Sequence, residues 1–455
     1  MRMSHTESRL RRAARPLAFG ALALAVAGAL ALPQPAAASA FQLKEGSAKS
    51  LGRAYAGATA APDDVSVVVN NPAAMAWLKG AQFQADVTAI DFSTDFHGGG
   101  TDALGRPLTG GNGGNGGTTI PVPAFFLSMP INDQWSVGAA VSAPFGFQTQ
   151  WDNGWVGRYS ALFSKLQSID ATFSVSYKVT DSLAVGGSVI AQRTSADLSN
   201  AVNFGAILAP AAAPAFLPQS ADGYAELQAH NWKWGWQLGA SWKPTDSDTV
   251  AFDYHAEIKH HLNGQATFVV PPAVQGAFAQ SPLTASLFTN TGGSTDYATP
   301  AFASLSYWHV FNDQFSAGAD LDWTGWSNFK QLVVNFNNPA QPQSVETFNW
   351  ADSYFFSIGG DYKLTDRLTL HGGVAVEGTP TYQLTRDPRV PDAARRWLSL
   401  GLSYKAADNF DIDVGYAHLF VSNSHINTMS ATGDSLTGYF TNSADLLGVS
   451  ATYKF

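Results

Sequence analysis

Three histidines, His255, His260 and His261, fall close enough together in the chain to suggest a metal site. His260 and His261 are adjacent, however, so on a strand they point to opposite faces and do not share an ion. The carboxylates Asp320 and Asp322, and likewise Asp411 and Asp413, stand two residues apart. On a strand that spacing puts both groups of a pair on one face. Such a pair could move protons, but a solvated polar surface is the simpler expectation. The chain has no Gly-x-Ser-x-Gly sequence, and no Ser/His pair stands out as nucleophile and base. It has no Cys, hence no disulfide and no thiolate ligand. The expectation is a protein without catalytic residues, metal or cofactor.

The elements that carry these residues are strands. In the last ten residues Leu447, Val449, Ala451, Tyr453 and Phe455 alternate with Gly448, Ser450, Thr452 and Lys454. An apolar/polar alternation ending on an aromatic suits a strand with lipid on one face and a polar lumen on the other. The same pattern recurs in Leu398, Leu400, Leu402 and Tyr404 against Trp397, Ser399, Gly401 and Ser403. Phe410, Ile412, Val414 and Tyr416 form another apolar face. So do Val250, Phe252, Tyr254, Ala256 and Ile258, opposite Asp253, His255, Glu257 and Lys259. A lipid-facing Arg or Lys near the bilayer midplane costs about 2–4 kcal/mol, so the charged sets are expected in the lumen.

Arg2, Arg9, Arg11, Arg12 and Arg15, an apolar stretch from Leu17 to Leu32, and Ala36-Ala37-Ala38 read as a signal peptide over residues 1–38, with cleavage after Ala38 or Ala40. That segment carries five Arg and one Glu, which leaves 21 basic and 34 acidic side chains and a net charge of −13. The balance argues against nucleic acid as a partner. After the signal no window is long and apolar enough for a membrane helix. Six short polar breaks recur: Ile131–Gln134, Val179–Ser182, Pro244–Asp248, Phe311–Gln314, Leu364–Arg367 and Ala406–Asn409. Asn and Asp suit such turns because their side chains bond nearby backbone. Between them lie longer Gly/Ser/Asn/Pro-rich segments, such as His97–Gly117 and Val270–Ser294. Tight turns alternating with long loops predict a transmembrane antiparallel β-barrel of fourteen strands over residues 81–455. Residues 39–80 break the pattern. They are too apolar for a disordered tail, so a plug inside the lumen is expected.

In this segment the chain resembles the FadL-type long-chain fatty acid transporters of Gram-negative outer membranes. The resemblance rests on Phe41-Gln42-Leu43, Leu51-Gly52-Arg53-Ala54-Tyr55-Ala56-Gly57 and Asn71-Pro72-Ala73. Further on it includes Pro144-Phe145-Gly146, Trp155-Val156-Gly157-Arg158-Tyr159-Ser160 and Asp322-Trp323-Thr324-Gly325-Trp326-Ser327. Arg389-Val390-Pro391-Asp392, Arg396-Trp397-Leu398-Ser399-Leu400-Gly401 and Gly415-Tyr416-Ala417-His418 complete it. It implies a fourteen-stranded barrel with an N-terminal hatch, passive uptake of hydrophobic molecules, and release sideways through a kinked third strand that the hatch motif contacts. Long-chain fatty acids and aromatic hydrocarbons both fit as cargo. A general porin is disfavoured by the apolar plug, and an outer-membrane lipid enzyme has no residues to support it.

The ligand-binding candidates are Arg158, Lys330, Phe41, Leu43 and Met75. Arg158 could pair with a carboxylate bidentately; a loop cation at the level of lipopolysaccharide is the alternative reading. Asn71, Pro72 and Ala73 are gating candidates, although Asn as a cap and Pro in the first turn also describe a plain helix start. Pro144, Phe145 and Gly146 should kink the third strand, expected from about Trp135 to Phe147, because Pro gives the ladder no N–H and Gly permits the bend. The expected partners are a hydrophobic small molecule, outer-membrane lipid and lipopolysaccharide, and the barrel-assembly machinery through Phe455. The barrel is expected to be a monomer.

Overall fold

The computed structural model describes residues 40–455, so the expected signal segment lies outside the described residues. Among the described residues fourteen strands form one antiparallel barrel. β1 (Gln82–Gly99) and β2 (Thr119–Pro130) are followed by β3, which is split into Trp135–Ser142 and Gly146–Gln150. Then come β4 (Phe163–Lys178), β5 (Leu183–Asn203), β6 (Asp222–Trp242) and β7, split into Asp248–His255 and Ile258–Val269. β8 (Thr291–Thr299 and Phe302–Val310), β9 (Phe315–Thr324 and Gln331–Phe336) and β10 (Ser344–Thr347 and Ser353–Lys363) are also interrupted. β11 (Leu368–Glu377), β12 (Arg395–Ala407), β13 (Phe410–Val421 and Ser424–Met429) and β14 (Ser435–Lys454) complete the wall. β14 pairs with β1 from Gln82↔Lys454 to Gly99↔Thr437, which closes the barrel. Closure leaves lipid no unpaired edge to satisfy. The six tight turns fall where the polar breaks predict them, at one end of the barrel. The long loops, two of which carry short helices (Phe204–Ala212 and Pro272–Phe278), lie at the other.

The two faces of the wall follow the alternation. Leu398, Leu400 and Leu402 are exposed on the outer face, and Trp397 and Ser399 are buried inside. Asp253, Asp320, Asp322 and Asp413 are all buried inside. One strand departs from the expected phase. In β7 the ladder below the break pairs His255 with Gln237, and the ladder above it pairs Asn263 with His230. That leaves one extra residue, Glu257, in β7, and the inserted residue exchanges the two faces. Ile258, expected to face lipid, is buried inside, where it covers Gly235. Lys259, expected in the lumen, stands on the outer face.

Residues 40–80 run along the inner side of this wall. They contain helix α1 (Ala48–Gly52), capped by Ser47, and helix α2 (Val67–Asn70). A 3-10 turn over Pro72–Trp77 follows, with Asn71 Oδ1 accepting from Ala73 N at 3.1 Å. Short helices leave many backbone groups unbonded, and side chains of the wall supply their partners. Asp320 accepts from Gly57 N at 3.0 Å, Gln84 Oε1 from Val65 N at 2.9 Å, and Ser450 Oγ from Ala48 N at 2.9 Å. Ser176 and Ser174 donate to the carbonyls of Ala73 and Val68, and Gln237 to that of Val69. Arg53 reaches from the inner segment to Asp361 on β10, with Nε–Oδ1 at 2.7 Å and Nη2–Oδ2 at 2.6 Å, and also pairs with Asp63. Asp322 takes the ammonium of Lys44. Asp320 and Asp322 therefore do not form the solvated face that the sequence suggests. The inner segment covers them and uses them as anchors. Glycines make room for it: a Cβ at Gly359 or Gly373 would collide with the Arg53 carbonyl, and one at Gly415 with that of Ala48.

Replacing Gly373 by Val should therefore loosen the inner segment by about 1–3 kcal/mol, the usual cost of overpacking, while the wall stays closed. Limited proteolysis should cut within residues 40–79 faster than in the parent, with unchanged heat-modifiable migration of the barrel.

Candidate functional site

Strand pairing between β2 and β3 stops at the kink. The first half of β3 pairs with β2 over Phe125–Pro130 and with β4 over Asp170–Tyr177. Beyond Pro144 the second half, Gly146–Gln150, pairs only with Phe163–Gln167 of β4. Residues 119–124 of β2 pair with β1 and have no β3 partner. The backbone groups freed at the kink are taken up from inside. Leu43 N donates to Pro144 O at 2.8 Å, and Gly146 N donates to Phe41 O at 2.9 Å, an antiparallel bridge between Gln42 and Phe145. Phe145 N turns to Ser168 Oγ of β4 at 3.0 Å. The segment from Ala40 to Glu45 thus lies as an arm against the kinked strand.

A cavity of about 360 Å³ lies beside this arm, within the usual range for small-molecule sites. Its walls combine Phe41 and Leu43 of the arm, Phe147 of β3, Leu166 of β4 and Trp397 of β12 with Ile120 and Pro121 of the unpaired part of β2. It therefore extends from the lumen to the gap between β2 and β3. Behind it a fully packed aromatic cluster joins Phe41, Phe145, Trp326 and Trp350, with Phe41 and Trp326 centroids 4.6 Å apart. On the other side of the arm a smaller polar pocket of about 110 Å³ is lined by Lys44, Glu45, Asp170, His255 and Asp322.

Four basic residues line the cavity: Lys165, Arg389, Arg395 and Lys44, the last paired with Asp322. Arg395 Nη2 donates to Asp392 Oδ1 at 2.7 Å and to the carbonyl of Ala40 at 2.9 Å, so it also holds the arm. Arg389 donates to Ser164 Oγ at 2.8 Å and to Ser199 O at 3.1 Å. Lys165 is exposed and enters no ion pair among the described residues. Glu45, beside Lys44 on the arm, lines both spaces. Burial pushes its carboxyl up to about 7, with Glu377 adding to the rise and Arg395 opposing it.

The residues expected from the sequence divide. Phe41, Leu43, Phe145 and Gly146 meet at the cavity, and Pro144 is beside it. Met75 is buried elsewhere, against Gly138 of β3 and Val68. The structure places Asn71-Pro72-Ala73 against β4, β5 and β6, and among the described residues these three show no contact with the kink. Asn71 Nδ2 donates to Ala240 O of β6 at 3.1 Å, a Cβ on Gly186 of β5 would strike Ala73 and one on Gly239 of β6 would strike Asn71, and Ser176 of β4 holds the Ala73 carbonyl. Those glycines open room for this turn on β5 and β6, and the kink is met by the arm instead. Arg158 sits among the long loops, donating to Asp222 Oδ2 at 2.8 Å, to Thr109 O at 2.6 Å and to Tyr159 Oη at 2.8 Å. Lys330 is exposed, and its backbone closes the turn to Phe348 and Asn349. Neither of these two lines the cavity. Arg395 carries a signal that extending the alternation would have revealed, since Trp397 faces inward and Arg395 is two residues before it. His260 bonds Gln192 inside and His261 pairs with Asp296 outside, as their adjacency requires.

The profile of a family described as outer membrane protein transport protein (OMPP1/FadL/TodX) matches residues 29–455. The chain belongs to this family. It is 29% identical over 431 residues to the long-chain fatty acid transport protein of Escherichia coli (strain K12), covering 90% of this chain and 94% of that one. It is 26% identical to outer membrane protein P1 of Haemophilus influenzae, with 92% and 95% covered. Among solved structures, a Pseudomonas aeruginosa FadL homologue superposes with a TM-score of 0.87 at 33% identity, covering 92% of this chain and all of that one. The toluene transporter TbuX of Ralstonia pickettii shares the fold, with a TM-score of 0.66 at 22% identity over 90% and 99%. The barrel is accordingly a protein of the Gram-negative outer membrane, with its short turns periplasmic and its long loops extracellular.

Because Glu45 has a higher pKa when buried than when free, its protonation favours the docked arm. That contribution is full below about 4.5 and fades as pH rises through about 7. A fluorophore on the arm should show tighter docking at pH 5 than at pH 8, and Glu45→Gln should flatten the difference. Equal docking of the parent at both pH values would remove Glu45 from the arm's energetics.

Proposed function

We propose that the protein passively takes up long-chain fatty acids, which leave the cavity sideways through the gap between β2 and β3. The observation that carries this reading is the cavity itself. It is walled by Phe41, Leu43, Phe147 and Leu166, reaches the unpaired part of β2, and has Arg395 and Lys165 at its rim. An acyl tail lies on the apolar side chains, and its carboxylate meets a guanidinium or ammonium, a charge-assisted pairing. The E. coli relative named as a long-chain fatty acid transport protein supports that cargo. The aromatic hydrocarbon reading draws on TodX in the family's description and on toluene transporters at identities where the fold alone carries over. A ligand leaving through the wall enters the bilayer without crossing periplasmic water, which a molecule of low solubility favours.

In this reading residues 40–80 act as the hatch and the arm as its moving part. When the arm withdraws, the cavity joins the polar pocket behind it, and Arg395 exchanges the Ala40 carbonyl for a carboxylate while it keeps Asp392. Deleting Phe41 to Lys79 should leave a closed barrel that leaks small polar solutes.

Affinity should rise with chain length, since each buried methylene contributes about 0.8 kcal/mol, roughly fourfold. Affinity that is flat from short to long chains would count against an apolar tunnel. Replacing Pro144 by Val and Gly146 by Ala should restore pairing and cut uptake with normal surface expression. A repaired strand that transports as well as the parent would rule out lateral release.

A further inference from the structure

The bulge at Glu257 turns Lys259 out of the lumen. Carrying the register of His230↔Asn263 down the ladder sets Lys259 opposite Trp234 on the outer face of β6. On the other side of β6, Arg193 of β5 is paired with Trp232, and Ala191 with Trp234. Gln192 and Thr194 are buried inside, so Arg193 also faces out. Two indoles are therefore flanked by two cations on the outside of the barrel. Trp234 is 75% exposed, Trp232 56%, and the Lys259 side chain 83%.

These four residues mark the upper edge of the lipid-facing band. Below them the outer face is apolar: Val189, Trp236, Leu238 and Phe252 are all exposed. Above them on the same face it is polar, with His230 and Gln228 on β6 and His261 on β7. The nearby acids are already engaged on the loop side: Asp197 and Glu226 by Gln228, and Asp296 by His261. Among the described residues the Arg193 guanidinium enters no hydrogen bond or ion pair, and neither indole N–H is bonded. Lys259 has one contact, with Glu257 Oε1 at 3.2 Å. Cations at the margin of a bilayer cost little, and near an anionic headgroup they gain. A bulge that re-aims one of them is a feature of the strand and not of the lumen.

We propose that Arg193, Trp232, Trp234 and Lys259 bind the phosphorylated glucosamine headgroup of lipid A, the membrane anchor of lipopolysaccharide. The charge and the level of the site argue for this ligand. Guanidinium and ammonium pair with phosphate oxygens. The amphipathic indole rings lie where sugar meets acyl chain, and the apolar face below receives the acyl chains. The site is on the outside of the wall and does not depend on the cargo.

The test uses the purified protein in detergent micelles, with bisphosphorylated lipid A, chemically dephosphorylated lipid A and phosphatidylglycerol as probes. Binding is read by native mass spectrometry and by the shift in thermal unfolding. Near an anionic lipid surface each Lys or Arg is worth about fivefold. Bisphosphorylated lipid A should therefore bind about thirtyfold more weakly to the double variant Arg193→Gln, Lys259→Gln. The periplasmic control Lys405→Gln should bind like the parent, and Trp234→Leu should weaken binding without changing barrel closure. Dephosphorylated lipid A and phosphatidylglycerol should bind all the proteins weakly and alike. Equal binding of bisphosphorylated lipid A to the parent and the double variant would overturn the proposal. So would phosphatidylglycerol binding as tightly as lipid A and through the same two cations.

Discussion

A chain that crosses a bilayer as strands must satisfy every backbone N–H and C=O within the protein, because hydrocarbon offers no partner. That constraint organises the whole molecule. It closes β14 onto β1 along eighteen paired residues. It also makes the kink at Pro144 costly unless something else bonds the groups the kink releases. The arm from Ala40 to Glu45 does so from inside, through Leu43 N, Phe41 O and the bridge between Gln42 and Phe145. The kinked strand and the segment that covers it are thus two halves of one hydrogen-bonding arrangement. Moving the arm would release both at once.

The same logic explains why the lumen is so polar. The inner segment has short helices and irregular backbone, and its free amides and carbonyls need partners. Inward-facing Ser, Gln and Asp side chains of the wall supply them, while glycines such as Gly373 and Gly415 let the backbone approach. These contacts are strongest around Arg53 and Asp361, far from the kink. The arm is held by the Lys44 to Asp322 pair, the Arg395 to Ala40 bond, the bond from Thr324 Oγ1 to Gln42 Oε1 and the strand bridge.

Much of this was legible in the sequence. Fourteen strands, six tight turns and the polar inner face follow from period-two alternation and Asn/Asp punctuation, which report local geometry directly. Pro144 and Gly146 announced the kink for the same reason. What escaped was non-local. The flip of Lys259 depends on one inserted residue, Glu257, whose presence only the partner ladder on β6 reveals. The location of Asn71-Pro72-Ala73 depends on Gly186 and Gly239 across the lumen. Arg158 looked free for a ligand because Asp222 and Thr109, its partners, come from other loops. Asp320 and Asp322 looked solvated because nothing local says that Gly57 and Lys44 cover them.

The central claim is that the arm over the kink must move for cargo to pass. The chain has no Cys, so the pair Gln42→Cys, Phe145→Cys can be introduced without competing thiols. These residues face each other across an antiparallel bridge, at a separation suited to a disulfide. Fatty acid uptake should stop when the pair is oxidised and return on reduction to the level of the same protein before oxidation, while oxidant leaves the uptake of each single variant where it was. Full uptake through a barrel in which the crosslink is complete would contradict the account.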